Sequence, residues 1–160
     1  MTATSSSGGC QCGAVRFRAE EVGDAGFCHC RMCQKAFGGP GAALISVPVG
    51  KLEWTRGRPA EFRSSPVVAR GFCAGCGTPL YMLEDGWPVY DMAMGAFDDP
   101  AALPAPDHQV GIESKLPWFD SLHRLPGRRT DEDRAPADLA RLRSLQHPDR
   151  DTAQWPDIKS

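Results

Sequence analysis

The chain has 160 residues, with 18 lysines and arginines against 20 aspartates and glutamates and a formal net charge of −2. That length suits one domain with a sizeable core, and the charge balance offers no basic surface for nucleic acid or acidic lipid. No stretch approaches the ~20 apolar residues of a membrane span, and "MTATSSSGG" (1–9) carries no apolar run of signal-peptide length, so the expected compartment is the cytoplasm, with no membrane partner.

The 17 glycines and 14 prolines exceed the combined average of about 12% and favour short elements joined by many turns. In chain order, "GAVRFRAE" (13–20) sets Val15 and Phe17 against Arg16 and Arg18, the period of a half-buried strand. "AALISV" (42–47), "KLEWT" (51–55), "VVARGF" (67–72), "PLYML" (79–83) and "VYDMAM" (89–94) follow. Turn-forming "PVGK", "RGRP", "SSP" and "EDGWP" separate them. Spacing near ten residues predicts a mainly β fold of short antiparallel strands rather than βαβ units. The expected domain is 1–126. Residues 127–160 form a C-terminal extension, in which Leu139, Leu142 and Leu145 mark the flank of one short docked helix before a flexible tail.

Seven cysteines fall into three groups: Cys10/Cys12, Cys28/Cys30/Cys33 and Cys73/Cys76. Three disulfides would leave one thiol over. Four plus three divides more naturally. The C-x-C of "GCQC", read as the start of a strand, puts both sulfurs on one face. The C-x-x-C of "FCAGCG" has Gly77 placed for the tight turn of a zinc knuckle. Together these pairs make a closed four-thiolate shell for a structural zinc.

Cys28, Cys30 and Cys33 then remain, and three protein ligands with a fourth position free is the arrangement of a catalytic zinc. His29 lies between two of them, and alternation turns its side chain away. A distant His108 or His123 would instead close a second structural site. Zn²⁺ with three thiolates carries −1, which makes it a weak activator of water and a better acceptor of a further thiolate. That balance suggests sulfur chemistry on a small electrophile.

"GGCQCGAVRF", "CHCRMCQKAFG", "RGFCAGCGTPLY", "MGAFDDP" and "SKLPWF" occur in order over about residues 8–126. Together they resemble the glutathione-dependent formaldehyde-activating enzyme family, whose domain is shared with centromere protein V. The resemblance implies a β-tent zinc fold and two Zn²⁺ per chain. It assigns Cys10, Cys12, Cys73 and Cys76 to the structural zinc, and Cys28, Cys30 and Cys33 to the catalytic one. It also implies a carbon–sulfur lyase activity joining glutathione, or another small-molecule thiol, to formaldehyde or another small aldehyde.

A pocket for glutathione needs cations, and Arg31, Lys35, Arg70 and Lys115 lie in or near these motifs. "FGGPGA" (37–42) offers a close backbone approach. Asp91, Asp98 and His108 are candidate acid–base groups, while Trp54, Trp87 and Trp118 read as core or lid packing. The alternative is a non-catalytic zinc-binding module for protein contact. A redox enzyme of the sulfoxide-reductase kind ranks below both, because metal already claims every cysteine.

Overall fold

Alternation along the chain gives the larger sheet two chemically different faces. The computed structural model describes residues 5–154. Its strands are β1 (Ser6–Gly9), β2 (Arg16–Ala19), β3 (Ala25–Cys28), β4 (Ala42–Pro48), β5 (Leu52–Arg56), β6 (Ala60–Arg63), β7 (Val68–Phe72), β8 (Pro79–Glu84), β9 (Val89–Ala93) and β10 (His108–Val110). Two α-helices, α1 (Arg31–Phe37) and α2 (Pro136–Arg141), and several short 3₁₀ segments complete the described chain. The fold is mainly β, as the strand pattern predicts. Among the described residues no helix is long and apolar enough to cross a membrane.

Three strands form a small sheet in the order β1-β2-β5, and seven form a larger one in the order β10-β3-β4-β9-β8-β7-β6. The expectation of purely antiparallel pairing fails at one edge. His108–Val110 returns parallel to β3, with Val110 opposite Cys28. Register aligns Gly71, Tyr81, Met92, Ile45 and Ala25 in one row across the large sheet. Four of these, Tyr81, Met92, Ile45 and Ala25, are buried with Phe17, Val47, Leu80 and Phe97 in the main core. Each fully buried large side chain there contributes about 1.5–3 kcal/mol. The neighbouring row, Phe62, Arg70, Met82, Asp91 and Ser46, points to the opposite face, where α1 packs.

Helix α1 has only seven residues, too few to hold by propensity alone. Cys30 is its N-cap, accepting from the Cys33 N–H at 3.4 Å, and a left-handed Gly38 ends it. Cys33 and Phe37 pack on Ala42 and Leu44 of β4. The buried Gln34 amide donates to the carbonyls of His29 (2.7 Å) and Ser114 (2.9 Å). This ties the helix to β3 and to the segment after β10.

The C-terminal segment differs from expectation. The predicted helix forms over Pro136–Arg141, but none of its residues is buried, and Leu142 and Leu145 are exposed. Its leucines are too few to make a stripe that could dock. What packs instead is the polar stretch beyond. The His147 N–H donates to the Gln11 carbonyl at 2.8 Å, and its buried ring lies over Gly13, where a Cβ would collide with it. Asp151 joins Asp98 on the buried Arg16 guanidinium, at 2.9 and 2.5 Å. The expected flexible tail lies partly outside the described residues, at 155–160.

Candidate metal centres and the cleft beside one of them

The seven thiols gather into two clusters. In each, all Sγ atoms lie within 4.8 Å of one another: Cys10, Cys12, Cys73 and Cys76 in one, and Cys28, Cys30 and Cys33 in the other. All seven are free thiols, so no disulfide competes with a metal.

The four-cysteine cluster is built by two tight turns. Cys10 and Cys12 do not sit on a strand as the C-x-C alternation suggested. They lie in a turn after β1, closed by the Gly13 N–H on the Cys10 carbonyl at 3.0 Å. Cys73 and Cys76 lie between β7 and β8, where the Gly77 N–H reaches the Cys73 carbonyl at 2.8 Å. Gly13 and Gly77 have φ of 76° and 75°, a conformation that a side chain would strain.

Sulfur separations of 3.5 Å (Cys10–Cys12) and 3.7 Å (Cys12–Cys73) match the roughly 3.8 Å edge of a tetrahedron with 2.3 Å Zn–S bonds. The Val15 N–H donates to the Cys10 sulfur at 3.2 Å. Burial pushes the Cys12 thiol up to about 12 and raises Cys73. Burial opposes ionisation of Cys76 too, but hydrogen bonds from Thr78 and Cys12 outweigh it and bring that thiol down to about 6. Four thiols this crowded suit one divalent cation that ionises them all.

The triplet is made where β3 runs into α1: Cys28 ends the strand, Cys30 caps the helix, and Cys33 lies buried in its first turn. A hydrogen bond from Cys33 brings the Cys28 thiol down to about 5, aided by the charge of Arg70. Cys33, on the other side of that bond and buried, is pushed up. Among the described residues no histidine or carboxylate joins the three sulfurs.

Neither of the distant histidines closes the site. His108 bonds Asp107 at 2.6 Å, and His123 is exposed beside Arg124. His29 turns away as alternation predicts. Its Nε2 pairs with Gln109 Oε1 at 2.9 Å and its ring packs edge-on against Phe119. The donor set of three soft thiols therefore fits a zinc that keeps one position for another ligand.

A cleft of about 480 Å³ adjoins this cluster, lined by Arg31, Met32, Lys35, Ala36, Phe62, Ser64 and Arg70. Three of the four candidate cations thus meet in one place. The fourth, Lys115, pairs with Asp120 at 2.6 Å. Arg70, on sequence grounds a candidate partner for carboxylates, has both of its terminal nitrogens 3.7 Å from Cys33 Sγ. Register alone would have found it, because β7 carries it to the α1 side of the sheet. Among the candidate acid–base groups, Asp98 is occupied by Arg16. Asp91 bonds Ser46, and burial and then the nearby Cys28 charge raise its pKa. Trp54 packs on Phe17 and Tyr81 in the core, whereas Trp87 and Trp118 are exposed.

Another cleft, of about 430 Å³, lies beside the four-cysteine cluster. Its buried cation, Arg16, is already matched by Asp98 and Asp151, which leaves it little charge to offer a ligand.

A crystal structure of a Rhodobacter sphaeroides protein shares the fold, with a TM-score of 0.53 and 22% identity over 65% of this chain and 99% of that one. A Halomonas elongata protein described as "Putative glutathione-dependent formaldehyde-activating enzyme" is 31% identical over 162 aligned positions, 92% of each chain. The family model described as glutathione-dependent formaldehyde-activating enzyme matches residues 5–113, a span that contains all seven cysteines. The chain belongs to the glutathione-dependent formaldehyde-activating enzyme family.

Proposed function

We propose that this protein is a zinc-dependent enzyme of the carbon–sulfur lyase type, acting between glutathione or a similar thiol and formaldehyde or another small aldehyde. Cys28, Cys30 and Cys33 hold the catalytic zinc, and Cys10, Cys12, Cys73 and Cys76 hold a structural one. The observation that carries this reading is a cluster of three thiols with no fourth protein donor among the described residues, next to a cleft lined by cations.

The reaction conserves atoms and electrons. A C–S bond forms between thiol sulfur and carbonyl carbon, the C=O π bond becomes a C–O single bond, and the thiol proton ends on oxygen. Zinc bound at the triplet supplies a soft cation that lowers the pKa of an incoming thiol and orients it. The chain does the rest. Arg31 and Lys35 give the thiol's carboxylates cationic partners, and Met32, Ala36 and Phe62 give the cleft apolar walls beside them. Gln34 holds α1 in place so that Cys30 and Cys33 keep their spacing from Cys28.

Formaldehyde consumption followed by NMR with and without glutathione tests the reading. The zinc-loaded protein should accelerate adduct formation beyond the spontaneous rate, and Cys33→Ser should abolish the acceleration. Equal rates with wild-type protein and with buffer would reject the enzyme and favour a non-catalytic zinc module.

A further inference from the structure

The Arg70 side chain is a buried cation with no carboxylate within ion-pair distance among the described residues. Its Nε donates to Ser64 Oγ at 2.9 Å, and its two terminal nitrogens both reach Cys33 Sγ. The other buried arginine, Arg16, has two carboxylates. A buried charge without a counter-charge is strongly unfavourable, and the group that both terminal nitrogens reach is a sulfur of the cysteine cluster. Zn²⁺ with three thiolates carries −1, and Arg70 brings the local sum to zero. A thiolate arriving as fourth ligand then meets a neutral centre instead of an anionic one. A neutral ligand gains far less from the same guanidinium.

We propose that Arg70 is a positioning residue that offsets the charge of the three-thiolate centre through Cys33 and so makes an anionic sulfur ligand its preferred fourth partner. The proposal rests on the triplet being the metal centre of the function above. It goes further in assigning the preference for thiolate to one residue that is not itself a metal ligand.

The test uses full-length protein loaded with Co²⁺, whose sulfur charge-transfer bands report ligands added at the triplet. Two probes are titrated at pH 8: 2-mercaptoethanol, which binds as a thiolate, and imidazole, which binds neutral. Arg70→Met should weaken 2-mercaptoethanol at least tenfold, about 1.4 kcal/mol, and change imidazole by less than twofold. Arg70→Lys, which keeps the charge, should lose less than threefold for either probe.

Equal weakening of both probes in R70M would give Arg70 a purely structural role and overturn the proposal, as would tight 2-mercaptoethanol binding by R70M. If the neutral variants R70M and R70Q lose cobalt from the triplet while R70K retains it, charge compensation is supported. Loss in all three assigns Arg70 to folding and overturns it. A wild-type spectrum that responds to neither probe rejects the functional reading, and this proposal with it. A wild-type response that R70M shares in full rejects only the role of Arg70.

Discussion

Cys12→Ser and Cys28→Ser each remove one thiol from one cluster, and the structure predicts unequal losses. Cys12 and Cys73 are 61 positions apart, so a metal held between them closes a long loop joining the small sheet to the β7–β8 turn. Loop-closure scaling for covalent cross-links puts that constraint at about 4 kcal/mol. The triplet, by contrast, is local, with Cys30 and Cys33 only three positions apart. Helix α1 also keeps its Gln34 bonds and its packing on Ala42 and Leu44 when Cys28 changes. A loss of about 1 kcal/mol is expected there, at the low end for single substitutions. For a chain of this size each kcal/mol moves the melting temperature by about 2–4 °C. Cys12→Ser should therefore melt about 8–16 °C lower, and Cys28→Ser about 2–4 °C lower, each with one zinc fewer. Calorimetric melts paired with zinc counts by mass spectrometry measure both quantities. Equal shifts would refute the division into a structural and a catalytic site.

Ending the chain after Gly127 removes His147 and Asp151, and should cost about 2–3 kcal/mol from the lost burial and the loosened Arg16 network. It should also speed zinc loss to a chelator from the Cys10–Gly13 turn; unchanged melting and unchanged release would contradict this. The docked His147 should confer pH-dependent stability. Burial first, and then Arg16 and Arg56, lower its pKa, so the folded chain binds fewer protons there than the unfolded one. Its contribution is complete above about pH 6.5, the unfolded value, and fades as the pH falls through the folded value. The stability difference between wild type and His147→Gln, measured by denaturant titration, should shrink from pH 7.5 to 5.5. A difference that grows toward acid would contradict the assignment.

Where the fold depends on alternation, the sequence was a good guide. The predicted 42–47, 67–72, 79–83 and 89–94 each match a strand of the large sheet to within one residue at either end, because period-two patterning is set by local burial. The elements that escape it are those whose stability comes from elsewhere. Ser6–Gly9 is polar and glycine-rich and is held by pairing with β2. Helix α1, "RMCQKAF", has too few turns for an amphipathic signal and depends on the Cys30 cap and on Gln34.

The cysteine partition was legible because chelating pairs recur at fixed short spacings. The backbone that presents the first pair was not, since C-x-C suits a strand face and a knuckle turn equally well. Two partners lay beyond any local pattern. Arg70 meets Cys33 only through the register of β6 to β9, and His147 reaches Gly13 from a polar stretch with no period at all.

The proposed function requires one zinc per chain closed by four thiolates and a second that keeps a place for substrate sulfur. X-ray absorption at the zinc edge, on protein shown to hold two zinc ions per chain, tests it most directly. The expected mean sulfur coordination is about 3.5 in the resting protein, rising to about 4 when glutathione is added. A value of four before any thiol is added, or a resting value that glutathione leaves unchanged, would contradict it.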